Sequence, residues 1–539
     1  MRPSRLVLVL LFQSLAAQAA EYRVGPDQAY ASIGAVPWEA LQPGDTVYIH
    51  ARLTPYVEKW VLGRRGTATA PITVRGVRDE AGNLPVIVGE NATTRSQLDF
   101  WNEQRGILKI GGANSPADTL PAYIVVEDLH LRRARGSFTG RSGSSSYTAN
   151  AAAIFIEKGE HITIRGCVLE DSGNGLFIAS ETSDVLVERN EIRGNGNTGS
   201  IKEHNAYTEA LGITYQFNRF GPLCVGCQGN NLKDRSAGTV IRYNWIEGGN
   251  RQLDLVDSES PKLLADASYG RTFVYGNVLI EHDGAGNRQI IHFGGDSGNV
   301  ANYRPQLYLF HNTVVSTRTD RTTLLRLSDN TQTADVTSNV VMVTASGSNN
   351  LSLSDEAGTL RHGGNWYAPG YLPAFGPVTG AVVDTGGNLT GSNPGFVDPA
   401  GNYHLEPASP LRGKAVAPPA EARGMLVDRQ YVKHRGAEQR VVSSPAHIGA
   451  FGDSGDPIPG SPDPETPDSG VPDPGTPDAG PDVQDSGTPD AGPVTPDSGT
   501  TNPPGDDDGG CGATGGGFAG PLGLLFLAAL TRRRRPARS

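Results

Sequence analysis

One phrase keeps returning through the middle of this chain: a short aliphatic-rich strand that closes on a bulky residue and an asparagine. It runs Val187–Asn190, Tyr215–Asn218, Ile241–Asn244, Val274–Asn277, Leu309–Asn312 and Val336–Asn339. Repetition at such intervals means stacked units, because no one unit can bury its apolar face alone. The repeats are β-branched and aromatic, with no helical period, so each unit is a coil of short strands. Asparagines piled at one corner can hydrogen-bond along the stack and tolerate a left-handed turn. The expectation is an all-β chain wound as a right-handed parallel β-helix.

Cys167 occupies the ladder phase one coil earlier, and Leu129 holds it before that. Successive ladder positions are 23 to 35 residues apart. The shortest interval approximates a bare coil, so longer ones contain loops that leave the stack. The excess is greatest after Asp257, through Ser258 to Gly270, and after Gly294, through Asp296 to Arg304. Loops on a rigid scaffold are where functional groups gather.

The chain opens with Arg2 and Arg5, an apolar run from Leu6 to Phe12 and Ala17-Gln18-Ala19-Ala20, the form of a signal peptide over residues 1–20. Export follows from that reading. Thirteen acidic residues and no Lys or Arg lie between Asp456 and Asp508, and taking them from the formal net charge of -11 leaves the rest near neutral. No basic face is implied, so nucleic acid is not an expected partner. Four cysteines are too few for a disulfide framework. Cys224 and Cys227, three apart in a Gly-rich loop, are open to a local disulfide, free thiols or a metal site.

Residues 454–508 are Pro, Asp, Gly, Ser and Thr in near-repeats, too polar to order themselves, which makes a disordered linker. Residues 509–539 hold Gly510-Cys511, an apolar stretch from Phe518 to Leu530 and the cluster Arg532–Arg535. That order resembles the MYXO-CTERM sorting tag. The resemblance implies a C-terminal sorting protease as partner, modification at Cys511, display on the outer surface or release, and only transient contact with the membrane.

Residues 21–453 form the β-helix domain. Its start, with Leu41-Gln42-Pro43-Gly44-Asp45 before Thr46–Ile49 and Gly66-Thr67 before Pro71-Ile72, resembles the first rungs of secreted β-helix proteins of the pectate-lyase-like superfamily. Asn393–Asp398, Tyr403–Leu405 and Ile448–Phe451 resemble closing rungs of the same family.

In a parallel β-helix, equal phase in successive coils means proximity at about 4.8 Å. Phase counted from the ladder places His204, Asn205, Lys233, Arg235, Asp254, Asp257 and His292 on one outer stripe. In Gln252–Val256 the leucines alternate with Asp254, which points it outward to solvent. Such a stripe suits an anionic or hydroxyl-rich sugar chain. The ordinary alternative for each charged residue is a solvated face, and for His292 a hydrogen-bonded coil residue.

The stretch from Leu232 and Lys233 to Tyr243 and Asn244 resembles, distantly, the alginate lyase and chondroitinase B group of polysaccharide lyases. In that group a Lys one strand before a ladder Asn is the base and an Arg in an Arg-His-Gly phrase on the next coil assists. Here the next coil reads Leu253–Asp257, and Arg361-His362-Gly363 comes several coils later. The resemblance implies a lyase of uronate-containing glycan: Lys233 as base with its pKa lowered by Arg235 and burial, and Arg235 or His204 neutralising the uronate. On that reading Asn205, Tyr207, Asn231, Asp254 and His292 are expected to contact sugar, and Asp254 with Asp257 to hold Ca2+ or sugar hydroxyls. The other reading is a non-catalytic surface module, which would carry aromatic platforms; Tyr207, Trp245 and Tyr275 are the candidates.

Overall fold

The computed structural model describes residues 19–117, 120–355 and 357–458. Nearly all of the expected signal peptide, linker and sorting tag lies outside them. The chain winds as a parallel β-helix whose coils each contribute a strand to three faces. One face contains Ala206–Gln216, Leu232–Asp234, Leu253–Leu255, Gln289–Phe293 and Thr322–Leu327, paired in parallel in that order. The second runs Ala237–Arg242, Thr272–Tyr275, Gln306–Phe310 and Thr333–Thr337. The third is an eleven-stranded ladder that includes Trp245–Glu247, Val278–Glu281 and Thr313–Ser316.

The asparagines sit at the corner between the second and third faces, fully buried. Oδ1 of Asn244 accepts from the backbone N–H and Nδ2 of Asn218, at 3.0 and 2.9 Å. Oδ1 of Asn277 does the same for Asn244, Asn312 for Asn277, and Asn339 for Asn312. The line continues to Asn365 and Asn388, and it starts at Cys167, whose N–H donates to Asn190 Oδ1 at 2.9 Å. The left-handed conformation falls on the residue before each Asn, at Arg189, Phe217, Tyr243, His311 and Ser338, which differs from the expected place. That residue turns the corner; the Asn at negative φ aims its amide along the stack. At Gly276 (φ +66°) a Cβ would also lie 2.6 Å from the Tyr243 ring, so the corner there takes only glycine.

Alternation does the rest. Ile246, Leu279 and Val314 fill the coil, whereas their neighbours Trp245, Val278, Ile280 and Val315 face outward. Residues 393–458 cover them. They do not close the stack, contrary to the expected last rungs, but fold back along its side as a hairpin, Phe396–Asp398 with Asn402–Leu405, and a three-stranded antiparallel sheet. Tyr403 stacks on Trp245 with ring centroids 5.6 Å apart, and Tyr243 Oη donates to the Leu426 carbonyl at 2.7 Å. Trp245 and Tyr275 are therefore buried and present no platform. The third strand of that sheet is Asp453–Pro457, which carries the ordered domain past residue 453. Cys224 and Cys227 are joined in a local disulfide, and Cys167 is a buried free thiol.

The ladder generates a graded prediction. Asn277→Ala orphans the Asn244 N–H and the Ile241 carbonyl in the interior, which costs about 3 kcal/mol. Asn388→Ala, at the partly exposed end, costs roughly half as much. Urea unfolding monitored by circular dichroism separates them; equal midpoints would mean that the ladder does not hold the corner.

Candidate functional site

Strand pairing puts Tyr207, Lys233, Asp254 and His292 opposite one another on four successive coils. They form one outward column, as the phase count anticipated for Lys233 and His292, with Leu232, Leu253 and Ile291 filling the coil beside them. Asp254 points outward as alternation requires, yet it is 2% exposed rather than solvated. The reason is tertiary. The loop from Gly294 to Arg304 folds over the column and brings Asp296 down onto it.

Lys233 Nζ lies 2.5 Å from Asp296 Oδ2 and 3.1 Å from Asp254 Oδ2. Arg235 follows the same strand and spreads its fork: Nη2 to Asp296 Oδ1 at 2.7 Å, Nε to the Tyr207 hydroxyl at 3.0 Å, Nη1 to the Asp257 carbonyl at 2.5 Å. Asp254 also accepts from Asn230 Nδ2 at 2.7 Å and pairs with His292 Nδ1 at 2.8 Å. His292 Nε2 faces Ser328 Oγ at 2.9 Å. The loop is anchored by Arg304, buried at its root, which donates to Asp234 Oδ2 at 2.8 Å and to the carbonyls of Val256 and Ser236. A buried charge held this way is expensive to break, so the root of the loop is fixed beneath the column.

These contacts decide the charge states. Burial works against the Lys233 ammonium, but Asp254 and Asp296 outweigh it and hold the group above the ordinary lysine value. The expected lowering by Arg235 and burial is thus reversed, because two carboxylates stand closer than the guanidinium acts. Burial would raise Asp254, yet Lys233 and the bond from His292 keep its carboxyl well below the usual range. His292 is lowered by burial, partly offset by Asp254. His204 is pulled down to about 3 by burial and by Lys233.

The remaining expected residues are placed otherwise. His204 is buried, its Nδ1 accepting from the Asn230 N–H at 2.9 Å, and its ring meets Tyr207 edge-on at 5.5 Å. Asn205 and Asn231 lie inside the coil as a second, short amide ladder: Asn195 Nδ2 donates to Asn205 Oδ1 and Asn205 Nδ2 to Asn231 Oδ1, both at 2.9 Å. The phase count erred here by two residues, and Tyr207 holds the outward position assigned to Asn205. Asp257 turns its carboxylate into the loop, accepting from the Asp296 N–H and from Ser297 Oγ. Asp254 is committed to Lys233, His292 and Asn230, and no group of three metal-ligating side chains occurs among the described residues. Asp296 and Glu209 were not anticipated. The long loop flagged the first; nothing in the sequence marks Glu209, whose carboxyl burial raises and which accepts from Ser258 Oγ at 2.5 Å.

A pH dependence of stability follows. His204 titrates near 6.5 in an unfolded chain and near 3 here, so the unfolded state binds the extra proton between those values. Stability is then full above about pH 6.5 and erodes as pH falls toward 3. Asp254 and Asp296, with lowered values, add losses of the same sign below the ordinary carboxylate range. Melting temperatures from pH 7.5 to 4 are expected to fall, and His204→Gln should flatten that slope; an unchanged slope would mean that His204 is not held neutral.

No protein-family profile matches the chain, and no curated protein matches it. Among solved structures it is similar to pectate lyase Pel9A, with a TM-score of 0.42 at 12% identity over 81% of this chain and 97% of that one. An alginate lyase from Paenibacillus sp. FPU-7 gives 0.38 at 12% identity over 62% and 94%. The lacto-N-biosidase of Eubacterium ramulus gives 0.38 at 12% over 69% and 68%. Likeness at this level does not carry an activity across.

Proposed function

We propose that this chain is an exported, surface-sorted protein that acts on an acidic polysaccharide, cleaving it by β-elimination at the Tyr207–Lys233–Asp254–His292 column. The observation that supports it is the column itself: a phenol, an ammonium, a carboxylate and an imidazole at strand spacing on one outer face, with the Arg235 fork touching the first of them. Removing the proton beside a uronate carboxylate needs that carboxylate neutralised and a group placed to take the proton. Lys233, held protonated, and Arg235 are the neutralising cations. Tyr207, partly exposed and with its oxygen accepting from Arg235, takes the proton as its phenolate and returns it to the departing glycosidic oxygen as the C–O bond breaks. Asp254, fixed by His292 and Asn230, orients the Lys233 ammonium. Asp296 stands where a substrate carboxylate would meet both cations, so substrate exchanges with it as it enters. Export rests on the N-terminal segment and sorting on the C-terminal tail read from the sequence.

The test is ultraviolet absorbance of an unsaturated uronate when residues 21–458 meet alginate, pectate and glycosaminoglycans. Turnover is expected on at least one. Tyr207→Phe should lower kcat about 100-fold or more with the fold intact, the usual contribution of a proton-transfer group. Lys233→Met should lower kcat/KM by a similar factor, since a transition-state counter-charge is worth about 3 kcal/mol or more. Full activity in both variants would remove the column from the chemistry. Binding without turnover in the wild type would favour the non-catalytic surface module.

A further inference from the structure

Arg105 differs from Lys233 and Arg235: among the described residues its side chain has no hydrogen-bond or ion-pair partner. It ends the short turn Glu103–Arg105 that leads into the strand Gly106–Ile110. Its guanidinium lies 4.7 Å from the ring centroids of both Phe155 and Phe177, which pair with each other and then with Tyr207 in the same outward column. Phe177 in turn meets Tyr207 at 5.0 Å. Among the described residues no side-chain hydrogen bond or ion pair reaches this guanidinium, and its Nε is buried without a partner. The nearby carboxylate of Glu157 is committed to Asn102 Nδ2, at 2.8 and 3.0 Å, and to Lys109 Nζ at 3.0 Å. Arg105 is partly exposed, and one donor of its planar fork, the Nε–H, is shielded from water and unmet, which is costly unless a ligand brings an acceptor. Burial accordingly depresses the Arg105 pKa, with Glu157 compensating only in part.

Beyond Arg105 the same turn walls a cleft of about 350 Å3, lined by Phe100, Trp101, Glu103, Phe138 and Ser144 among others. Trp101 is 41% exposed there, an aromatic face beside hydroxyl and carboxylate groups. That mixture of one exposed ring and several hydrogen-bonding groups is what a pyranose uses.

We propose that Arg105 is a second anion seat in the groove, receiving a carboxylate or sulfate from a different sugar unit than the one at Lys233 and Arg235, with the chain running on into the Trp101 cleft. The proposal rests on the glycan reading above. Phe177, Tyr207 and Lys233 occupy successive coils, so Arg105, over the Phe155 and Phe177 rings, and Lys233 are two to three strand spacings apart, roughly 10–14 Å. No single sugar acid reaches both. The ligand class is therefore a polymer with recurring anionic groups, laid along the helix axis, and Arg105 distinguishes it from a neutral glycan.

The test is calorimetric binding of hexamers of galacturonate and of alginate, a chondroitin sulfate hexasaccharide and a neutral maltohexaose to residues 21–458 at several salt concentrations. Arg105→Met keeps an apolar stem on the two Phe rings, and Arg105→Lys keeps the charge without the fork. At least one anionic hexamer is expected to bind, maltohexaose not. Arg105→Met should weaken that binding roughly tenfold and make it less sensitive to salt, whereas Arg105→Lys should retain the salt dependence with an intermediate affinity. Which anionic hexamer depends most on Arg105 tells carboxylate from sulfate. Unchanged affinity in Arg105→Met, or no binding of any anionic hexamer by the wild type, overturns the seat; if Arg105→Met has a lower melting temperature, Arg105→Lys decides alone. Anionic hexamers that bind through Arg105 without generating the unsaturated product would leave the seat standing and remove β-elimination.

Discussion

Everything in this molecule depends on a side-chain amide that completes the backbone of the neighbouring coil. Each ladder Asn gives Nδ2 to a carbonyl of the preceding coil and takes, on Oδ1, the N–H and Nδ2 of the Asn before it. At a corner the backbone turns away from its neighbours and would leave those groups unpaired in the interior, which folded proteins avoid. The ladder satisfies them and sets one spacing for the whole stack. A left-handed residue must precede each Asn, at a cost of about 1–2 kcal/mol where it is not glycine, and the amide bonds offset that strain.

Regular spacing is what turns a sequence into a site here. Because coils are in register, residues 26 to 38 positions apart, such as Tyr207 and Lys233 or Asp254 and His292, become neighbours at strand separation. The scaffold supplies positions, and the loops supply what covers them. The Gly294–Arg304 loop brings Asp296 to the cations, and Arg304 ties that loop to Asp234 beneath. Function on such a fold resides at the meeting of a rigid column with an anchored loop.

The two sides of the solenoid divide the labour. The column face is charged and keeps its ions paired through Lys233, Arg235, Asp254 and Asp296. The opposite flank carries outward apolar residues such as Trp245 and Val278, which would be a large exposed patch. Residues 393–458 cover it, leaving the column face as the one where chemistry-bearing side chains converge.

What the sequence determined by itself was the architecture and its phase. The Asn series, the alternation of Leu253, Asp254 and Leu255, and the loop lengths follow from local periodicity and from a hydrogen bond that any stacked coil must make. Lys233, Asp254 and His292 were legible as one stripe for the same reason. What only the tertiary structure decided depends on how far each loop travels. Asn205 turned inward and Tyr207 took the outward place assigned to it, because unequal loops shift the count by two residues. Asp254 is roofed rather than solvated, Lys233 holds its proton more tightly instead of less, and Arg105 lies over rings one and two coils away. Each of these reflects partners distant in sequence, where burial and Coulomb forces from several elements add at one point, and no period along a single strand encodes their sum.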